Sequence, residues 1–89
     1  MAQVVWTDEA LANLDAIQAY IEQFNPLAAQ QMAMRLIAVG NSLVEMPDRG
    51  RAVGGGSREL ANVHPYLIRY RVAGDAIVIL RIRHGARRP

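Results

Sequence analysis

The residues of this sequence most able to do chemistry are arginines on two neighbouring apolar runs. Arg69 and Arg71 lie in the first run, and Arg81 and Arg83 lie in the second. A spacing of two places each pair on one face of a strand, because successive strand side chains point to opposite sides. Each guanidinium is a planar fork that binds a carboxylate or a phosphate through two contacts. Four of them on one face predict an anion-binding or acidic-partner surface, whereas two would fit an ordinary solvated face.

Charge is divided unevenly between the two ends of the chain. Residues 1–50 carry two arginines and six acidic residues, a balance of −4, and residues 51–89 carry eight arginines and two acidic residues, a balance of +6. All ten basic residues are arginine. A coding bias against lysine would explain the absence of lysine but not the clustering. The clustering therefore supports a basic binding surface near the C-terminus.

Two further residues near these arginines could take part in RNA cleavage. Glu59 or His84 could remove a 2′-hydroxyl proton while Arg71 and Arg81 stabilise the charge on the phosphorane. Glu59 could equally form an ion pair with an arginine, and a histidine at a strand end is commonly a surface residue. No catalytic residue is therefore assigned. If the protein cleaves RNA, the expected catalytic residues are Glu59, Arg71, Arg81 and His84.

Metal and nucleophile sites are not expected. The chain has no cysteine, and its two histidines, His64 and His84, have no partner at metal-ligand spacing. Ser42 and Ser57 lie in no recognisable nucleophile turn. The sequence predicts neither a metal nor a cofactor.

The arginines require a β-hairpin to bring them together. Tyr66–Val72 and Ala76–His84 alternate in a strand pattern, and Tyr66, Ile68, Tyr70 and Val72 share the face opposite the arginines. Because a slip of one residue inverts a face, parity favours a three-residue connection at residues 73–75. That register pairs Tyr70 with Val78 and Ile68 with Leu80.

This register predicts one apolar face and one mixed face. Val78, Leu80 and Ile82 would join the core, while Leu67, Ile77 and Ile79 would lie among the arginines. An apolar strip bordered by arginine suits an acidic amphipathic peptide at least as well as a nucleic acid.

Two amphipathic helices precede the hairpin. Thr7 is a suitable N-cap, and the apolar stripe that follows predicts a helix over Asp8–Phe24. Asn25 and Pro26 stop this helix and start a second, predicted over Pro26–Glu45. The short link makes the two helices an antiparallel hairpin.

Short strands complete the expected fold. Gln3–Trp6 predicts an edge strand, residues 48–57 predict a mobile glycine-rich loop, and Arg58–Val63 predicts a strand. The order is therefore β-α-α-β-β-β, an α+β fold in which the helical hairpin covers one face of a small antiparallel sheet. Residues 1–89 are expected to form a single domain. With no cysteine, signal pattern or long apolar run, the expected location is the cytoplasm, away from membranes.

An ordered set of motifs resembles the RelE/ParE superfamily of toxin–antitoxin toxins. The resemblance covers nearly the whole chain and is carried by the residues Thr7-Asp8-Glu9-Ala10, Arg58-Glu59-Leu60, Pro65-Tyr66, Tyr70-Arg71-Val72, Gly74-Asp75, Ile79-Leu80-Arg81 and His84-Gly85-Ala86-Arg87. Because no aromatic residue follows His84 and lysine is absent, the ending is similar to the ParE branch. Members of that branch inhibit DNA gyrase.

The resemblance implies a growth-arresting toxin, of the kind found in plasmid stabilisation systems, in a hetero-oligomer with a ParD-like antitoxin. The residues expected to bind the target are Arg58, Arg69, Arg71, Arg81, Arg83, His84, Arg87 and Arg88. Those expected to bind the antitoxin are Leu67, Ile77, Ile79, Arg69, Arg71 and Arg81. Two alternatives stay open. One is a RelE-like messenger-RNA endonuclease acting on the ribosome, and the other is a non-toxic domain that only binds its antitoxin.

Overall fold

Two helices pack across one face of a five-stranded sheet in the computed structural model, which describes residues 2–86. The elements in chain order are β1 (Gln3–Trp6), α1 (Asp8–Glu22), α2 (Pro26–Ser42), β2 (Arg51–Gly54), β3 (Ser57–Val63), β4 (Tyr66–Ala73) and β5 (Ala76–His84). The strands lie in the order β1-β5-β4-β3-β2. Strand β1 runs parallel to β5, and the other neighbours are antiparallel. The predicted α+β fold is confirmed.

The helices begin where their capping residues predict. Thr7 Oγ1 accepts a hydrogen bond from the Ala10 amide at 3.1 Å, and Asn25 Oδ1 accepts one from the Ala28 amide at 3.0 Å. Both helices end two or three residues before the predicted bounds. The chain tightens there into short turns, in which the Phe24 amide reaches the Ile21 carbonyl and the Leu43 amide reaches the Gly40 carbonyl.

The glycine-rich segment contains a strand that the sequence did not reveal. Strand β2 pairs with β3, with Arg51 opposite Glu59, and glycines 54–56 turn the chain with φ values of +92°, +62° and +76°. The prediction of a mobile loop over residues 48–57 was therefore wrong. A strand of four residues, Arg-Ala-Val-Gly, is too short and too polar to show a periodic signal.

The hairpin between β4 and β5 has a different register from the predicted one. Ala73 pairs with Ala76, so the turn has two residues, and Gly74 occupies it with φ of +63°. The three-residue turn was wrong. An irregularity between the pairs Tyr70–Ile79 and Arg69–Arg81 leaves Leu80 as an extra residue on β5. This β-bulge changes the parity of β5 in mid-strand, which a regular alternation cannot anticipate.

The two-residue turn and the bulge together decide which side chains of β5 form the core. Ile77 and Ile79, predicted on the mixed face, are buried at 2% and 0% exposure, and Ile82 is buried beside them. Val78 and Leu80, predicted in the core, are half-buried. The core combines helix and sheet residues: Ala10, Leu14, Ala33, Leu36, Leu43, Leu60, Val63, Tyr66, Ile68, Tyr70, Ile77, Ile79 and Ile82. Within the described range, neither helix has the length and apolarity needed to cross a membrane.

Candidate binding surface on the open sheet face

Four charged residues form one row across the sheet face that the helices leave open. Arg51 on β2 lies opposite Glu59 on β3, Glu59 lies opposite Arg69 on β4, and Arg69 lies opposite Arg81 on β5. Directly opposed side chains on one face are close neighbours. We call Arg51, Glu59, Arg69 and Arg81 the charged row.

Glu59 is the centre of an ion-pair cluster. Its Oε2 accepts hydrogen bonds from Arg69 Nη2 at 3.0 Å and from Arg83 Nη2 at 3.4 Å, and Arg51 Nη2 lies 3.8 Å from Oε1. The Glu59 side chain is only 3% exposed. One carboxylate thus faces three guanidinium groups, and this group of four residues keeps a net charge of +2.

Arg71 and Arg81 are the cations of this face that remain open to a partner. Neither forms an ion pair with any residue between positions 2 and 86. Arg71 is exposed, and Arg81 is half-buried. Arg81 also lies directly opposite Arg69, where like charges repel each other. Both residues therefore gain from an acidic or phosphate-bearing partner.

Arg58 does not join these arginines. It lies opposite the buried Tyr70, so its side chain leaves the sheet on the helix side. There Arg58 Nη1 donates a hydrogen bond to the Gly50 carbonyl at 2.7 Å, and Nη2 lies 3.6 Å from Asp48 Oδ1. Arg58, expected among the target-binding residues, thus fastens the loop before β2 and does not join the open-face arginines.

His84 also stands apart from Glu59. It lies opposite Tyr66, on the side of the sheet that carries the core, and the two rings meet edge to face at 5.6 Å. His84 Nδ1 accepts a hydrogen bond from the Ala86 amide at 3.1 Å. The residues proposed for RNA cleavage are therefore divided, with His84 on one side of the sheet and Glu59 on the other.

A groove opens between α1 and the C-terminal half of β5. Its volume is about 540 Å³, and its walls include Asn13, Ile17, Tyr20, Tyr66, Arg81 and His84. Asn13 Oδ1 accepts a hydrogen bond from the Ile82 amide at 2.9 Å. This role of Asn13 depends on the packing of α1 against β5 and involves a partner 69 residues away in sequence.

The other predicted site residues differ in their surroundings. Leu67 is half-buried on the open face, opposite Arg83. Ile77 and Ile79 are in the core and offer no surface to an antitoxin. Arg87 and Arg88 lie outside the described residues. Across residues 2–86, no three histidine, aspartate or glutamate side chains gather closely enough to hold a metal.

Arg51 is the surface residue that sequence reasoning missed. It became part of the charged row only because the segment before β3 is a strand, and its own neighbours in sequence carry no strand signal. Its charge was the only sequence feature that could have pointed to it.

Comparison with known proteins identifies the family to which the chain belongs. The model of the family described as "ParE toxin of type II toxin-antitoxin system, parDE" matches residues 4–89. Toxin RelE2 of Caulobacter vibrioides is 59% identical over 87 residues, which cover 98% of this chain and 99% of that protein. The putative toxin Y4kP of Sinorhizobium fredii is 38% identical over 85 residues, with 93% and 88% covered.

A solved structure agrees with these relatives. It is described as the chromosomal ParDE TA system from P. aeruginosa, superposes with a TM-score of 0.83 at 30% identity, and is matched over 94% of this chain and 96% of that one. Sequence and fold thus agree over almost the full length, and the chain belongs to the ParE toxin family of type II toxin–antitoxin systems.

Proposed function

We propose that this chain is a toxin that arrests growth by binding DNA gyrase through its open basic face, without cleaving RNA. The observation that carries the proposal is the position of Glu59. Its carboxylate is nearly fully buried and is held by Arg69 and Arg83, so it is poorly placed to accept a proton from a substrate. With His84 on the other side of the sheet, the open face has the character of a binding surface.

Arg71 and Arg81 are the residues that we expect to contact the target. Both lack an ion-pair partner among the described residues, and both extend from the sheet face that carries the charged row. Charged groups at the accessible part of an interface steer association and favour an acidic partner surface. Arg69 and Arg83 contribute to the same positive field while holding Glu59.

The same proposal includes a ParD-like antitoxin as the neutralising partner. Besides the basic face, the helical hairpin exposes large apolar side chains, with Phe24, Leu27 and Met34 at 73%, 63% and 62% exposure. Apolar side chains at this level of exposure are typical of a surface that a partner covers. An antitoxin chain with apolar and acidic segments would match both features in one toxin–antitoxin hetero-oligomer.

A supercoiling assay with purified protein tests the gyrase target. The wild-type chain should inhibit gyrase, and the double variant Arg71→Ala/Arg81→Ala should require roughly tenfold or more protein for the same inhibition, since lost charge contacts often cost about 1 kcal/mol or more each. The control is Arg35→Ala on α2, whose only described hydrogen bond, at 3.3 Å, reaches the Asn62 carbonyl. Folded wild-type protein with no effect on gyrase at stoichiometric excess would refute this target.

RNA cleavage on the ribosome is the second candidate. The name Toxin RelE2 belongs to a relative with 59% identity, and the groove beside α1 brings Arg81, Arg83 and His84 together with Tyr66. Arginine and aromatic side chains at one groove suit a nucleotide. Mapping messenger-RNA ends after induction would detect this activity as cuts within ribosome-bound codons. Growth that continues unchanged during overexpression would instead support a domain that only binds an antitoxin.

A further inference from the structure

Between residues 2 and 86 the sheet has two outer strands, β1 and β2, and they differ in how they are protected. An outer strand presents N–H and C=O groups with which another chain can pair, and proteins blunt such edges with charged side chains or bulges. Strand β2 has both features, because it carries Arg51 and its register shifts between Ala52 and Gly54. Strand β1 is the regular, uncharged run Gln-Val-Val-Trp. The β1 edge is therefore open to an added strand.

Two residues of β1 present their backbone groups to this open edge. Gln3 and Thr7 donate their amides to the carbonyls of residues 75 and 79, at 3.2 Å and 3.1 Å, so the odd-numbered residues of this segment face β5. Because the N–H and C=O groups of a strand alternate sides, those of Val4 and Trp6 point away from β5. No other described residue forms a turn or loop hydrogen bond with these groups.

The outward groups of β1 are complementary to those of a second copy of the same strand. A two-fold axis through Val5, perpendicular to the sheet, would place Val4 opposite Trp6 of the second copy and Trp6 opposite Val4 of the second copy. Each pair would exchange both of its N–H···O=C bonds, as in an antiparallel ladder. One register thus satisfies the two amides and two carbonyls of each copy, which is the isologous contact of a symmetric dimer.

The side chains of β1 also suit this register. Val5 is 42% exposed and lies on the open face, since it pairs with Val78 and Val78 pairs with Arg71. At the axis the two copies of Val5 would meet directly, with Cβ atoms roughly 4.5–5.5 Å apart. On the helix side, the half-buried Trp6 would meet the half-buried Val4 of the second copy, and aromatic and β-branched side chains form favourable cross-strand pairs. Both faces of the contact would be apolar.

Charge does not oppose this pairing, although each copy carries a formal net charge of +2. The basic residue in the same row as Val5 is Arg71, which lies two strands further into the sheet. With strands about 4.8 Å apart, the Arg71 positions of the two copies would be about 24 Å apart, well beyond the screening length of about 8 Å at physiological salt. An uncharged edge that matches itself favours a second copy over an acidic or basic partner.

We propose that free copies of this chain pair through β1, in antiparallel register about Val5, and form one continuous ten-stranded sheet. Because the axis is perpendicular to the sheet, both helical hairpins lie on one side and both open faces lie on the other. The dimer presents two charged rows in the same direction. This pairing concerns the chain alone and depends neither on its target nor on an antitoxin. A contact of one short strand per copy predicts a dissociation constant on the order of micromolar.

Sedimentation equilibrium of the full chain tests the pairing. Between about 1 μM and about 1 mM, the mass should rise from that of one chain towards that of two. The changes Val5→Lys and Val5→Glu each place like charges at the axis and should weaken the dimer about tenfold or more. An equimolar mixture of the two variants brings opposite charges together and should restore the dimer. The matched control is Val72→Lys on β4, at a side chain with 41% exposure two strands away from β1, and it should leave association unchanged.

Amide exchange followed by NMR locates the contact. The Val4 and Trp6 amides should exchange roughly tenfold or more slowly in the dimer than in the dilute monomer, whereas the Val5 amide, which faces β5, should change little. A chain that stays monomeric at every concentration would overturn the proposal, as would a dimer whose Val4 and Trp6 amides exchange as they do in the monomer. A mixture of Val5→Lys and Val5→Glu that stays monomeric, while both variants unfold at the same urea concentration as Val72→Lys, would also contradict it.

Discussion

At the residue scale, the negative charge of Glu59 stabilises the arginines of the open face. Three arginines approach its carboxylate, and the side chains of the two nearest, Arg69 and Arg83, are 25% and 27% exposed. Removing one partner from a buried ion pair leaves charge without compensation, which costs about 3–5 kcal/mol when the pair is fully buried. The partial exposure of both arginines lowers this cost here.

The change Glu59→Gln should therefore destabilise the fold by about 1–3 kcal/mol, because Arg69 and Arg83 lose their charged acceptor. Urea unfolding would measure the effect. The control Asp15→Asn, on the exposed side of α1, should change stability by less than about 0.5 kcal/mol. Equal effects of the two changes would show that Glu59 does not stabilise the arginine cluster.

Tyr70 is a second residue whose contribution to stability can be tested by a single substitution. Its hydroxyl donates to the Pro47 carbonyl at 2.7 Å and accepts from the Gly50 amide at 2.8 Å, while its ring is fully buried. These two bonds hold the segment that leads into β2. Since the Gly50 amide is buried, it has no route to water when the hydroxyl is removed.

We expect Tyr70→Phe to cost about 1–3 kcal/mol, the usual penalty for a buried donor left unsatisfied. Amide exchange should also accelerate at Gly50 more than in α1. The exposed Tyr20 supplies the matched change Tyr20→Phe, which should be close to neutral. Unchanged protection at Gly50 would mean that the loop before β2 is held by other contacts.

At the element scale, close packing of α2 against β1 depends on a glycine. A Cβ atom at Gly40 would lie 2.6 Å from Cζ2 and 2.8 Å from Cη2 of Trp6. Trp6 Nε1 donates to Asn41 Oδ1 at 3.0 Å, so the ring is held in place over the helix. Glycine therefore lowers the helix propensity of α2 at this position, but it allows close contact between α2 and β1.

The change Gly40→Ala should destabilise the protein, because an overpacked contact costs about 1–3 kcal/mol while alanine regains only about 1 kcal/mol of helix propensity. A double-mutant cycle with Trp6→Leu isolates the contact, and circular dichroism can follow the unfolding of all four proteins. In the Trp6→Leu background, Gly40→Ala should be neutral or stabilising. The same cost in both backgrounds would rule out a clash with the ring.

At the scale of the whole molecule, one core joins residues from both ends of the chain. Ala10 on α1 and Ile82 on β5 belong to the same buried cluster, and β1 pairs with β5 at the sheet edge. Two elements that are far apart in sequence thus depend on each other. A small domain with one continuous core is expected to unfold in a single cooperative step.

We expect the fluorescence of Trp6 and the far-ultraviolet circular dichroism of the helices to change at the same urea concentration. The first signal reports the packing of β1 on α2, and the second reports α1 and α2. Coincident curves would support the prediction of one domain over residues 1–89, whereas separate midpoints would contradict it. Refolding by dilution should recover both signals together.

The sequence by itself determined the local features of this protein. Thr7 and Asn25 fixed the helix starts through hydrogen bonds made within three residues, and the alternation in β4 placed Tyr66, Ile68 and Tyr70 in the core. The unequal charge of the two halves and the arginine spacing indicated a basic face. These features depend on residues that are close in sequence, and they can therefore be inferred from the sequence alone.

The tertiary structure alone decided what depends on partners far along the chain. The two-residue turn placed Ile77 and Ile79 on the core face, and the bulge at Leu80 then returned Ile82 to that face and Arg81 to the open one. Strand β2 exists because β3 pairs with it, and that pairing brought Arg51 to Glu59. The position of α1 across the end of β5 placed Asn13 at Ile82 and formed the groove. Register, bulges and free edges arise from long-range pairing, and for that reason no local pattern specified them.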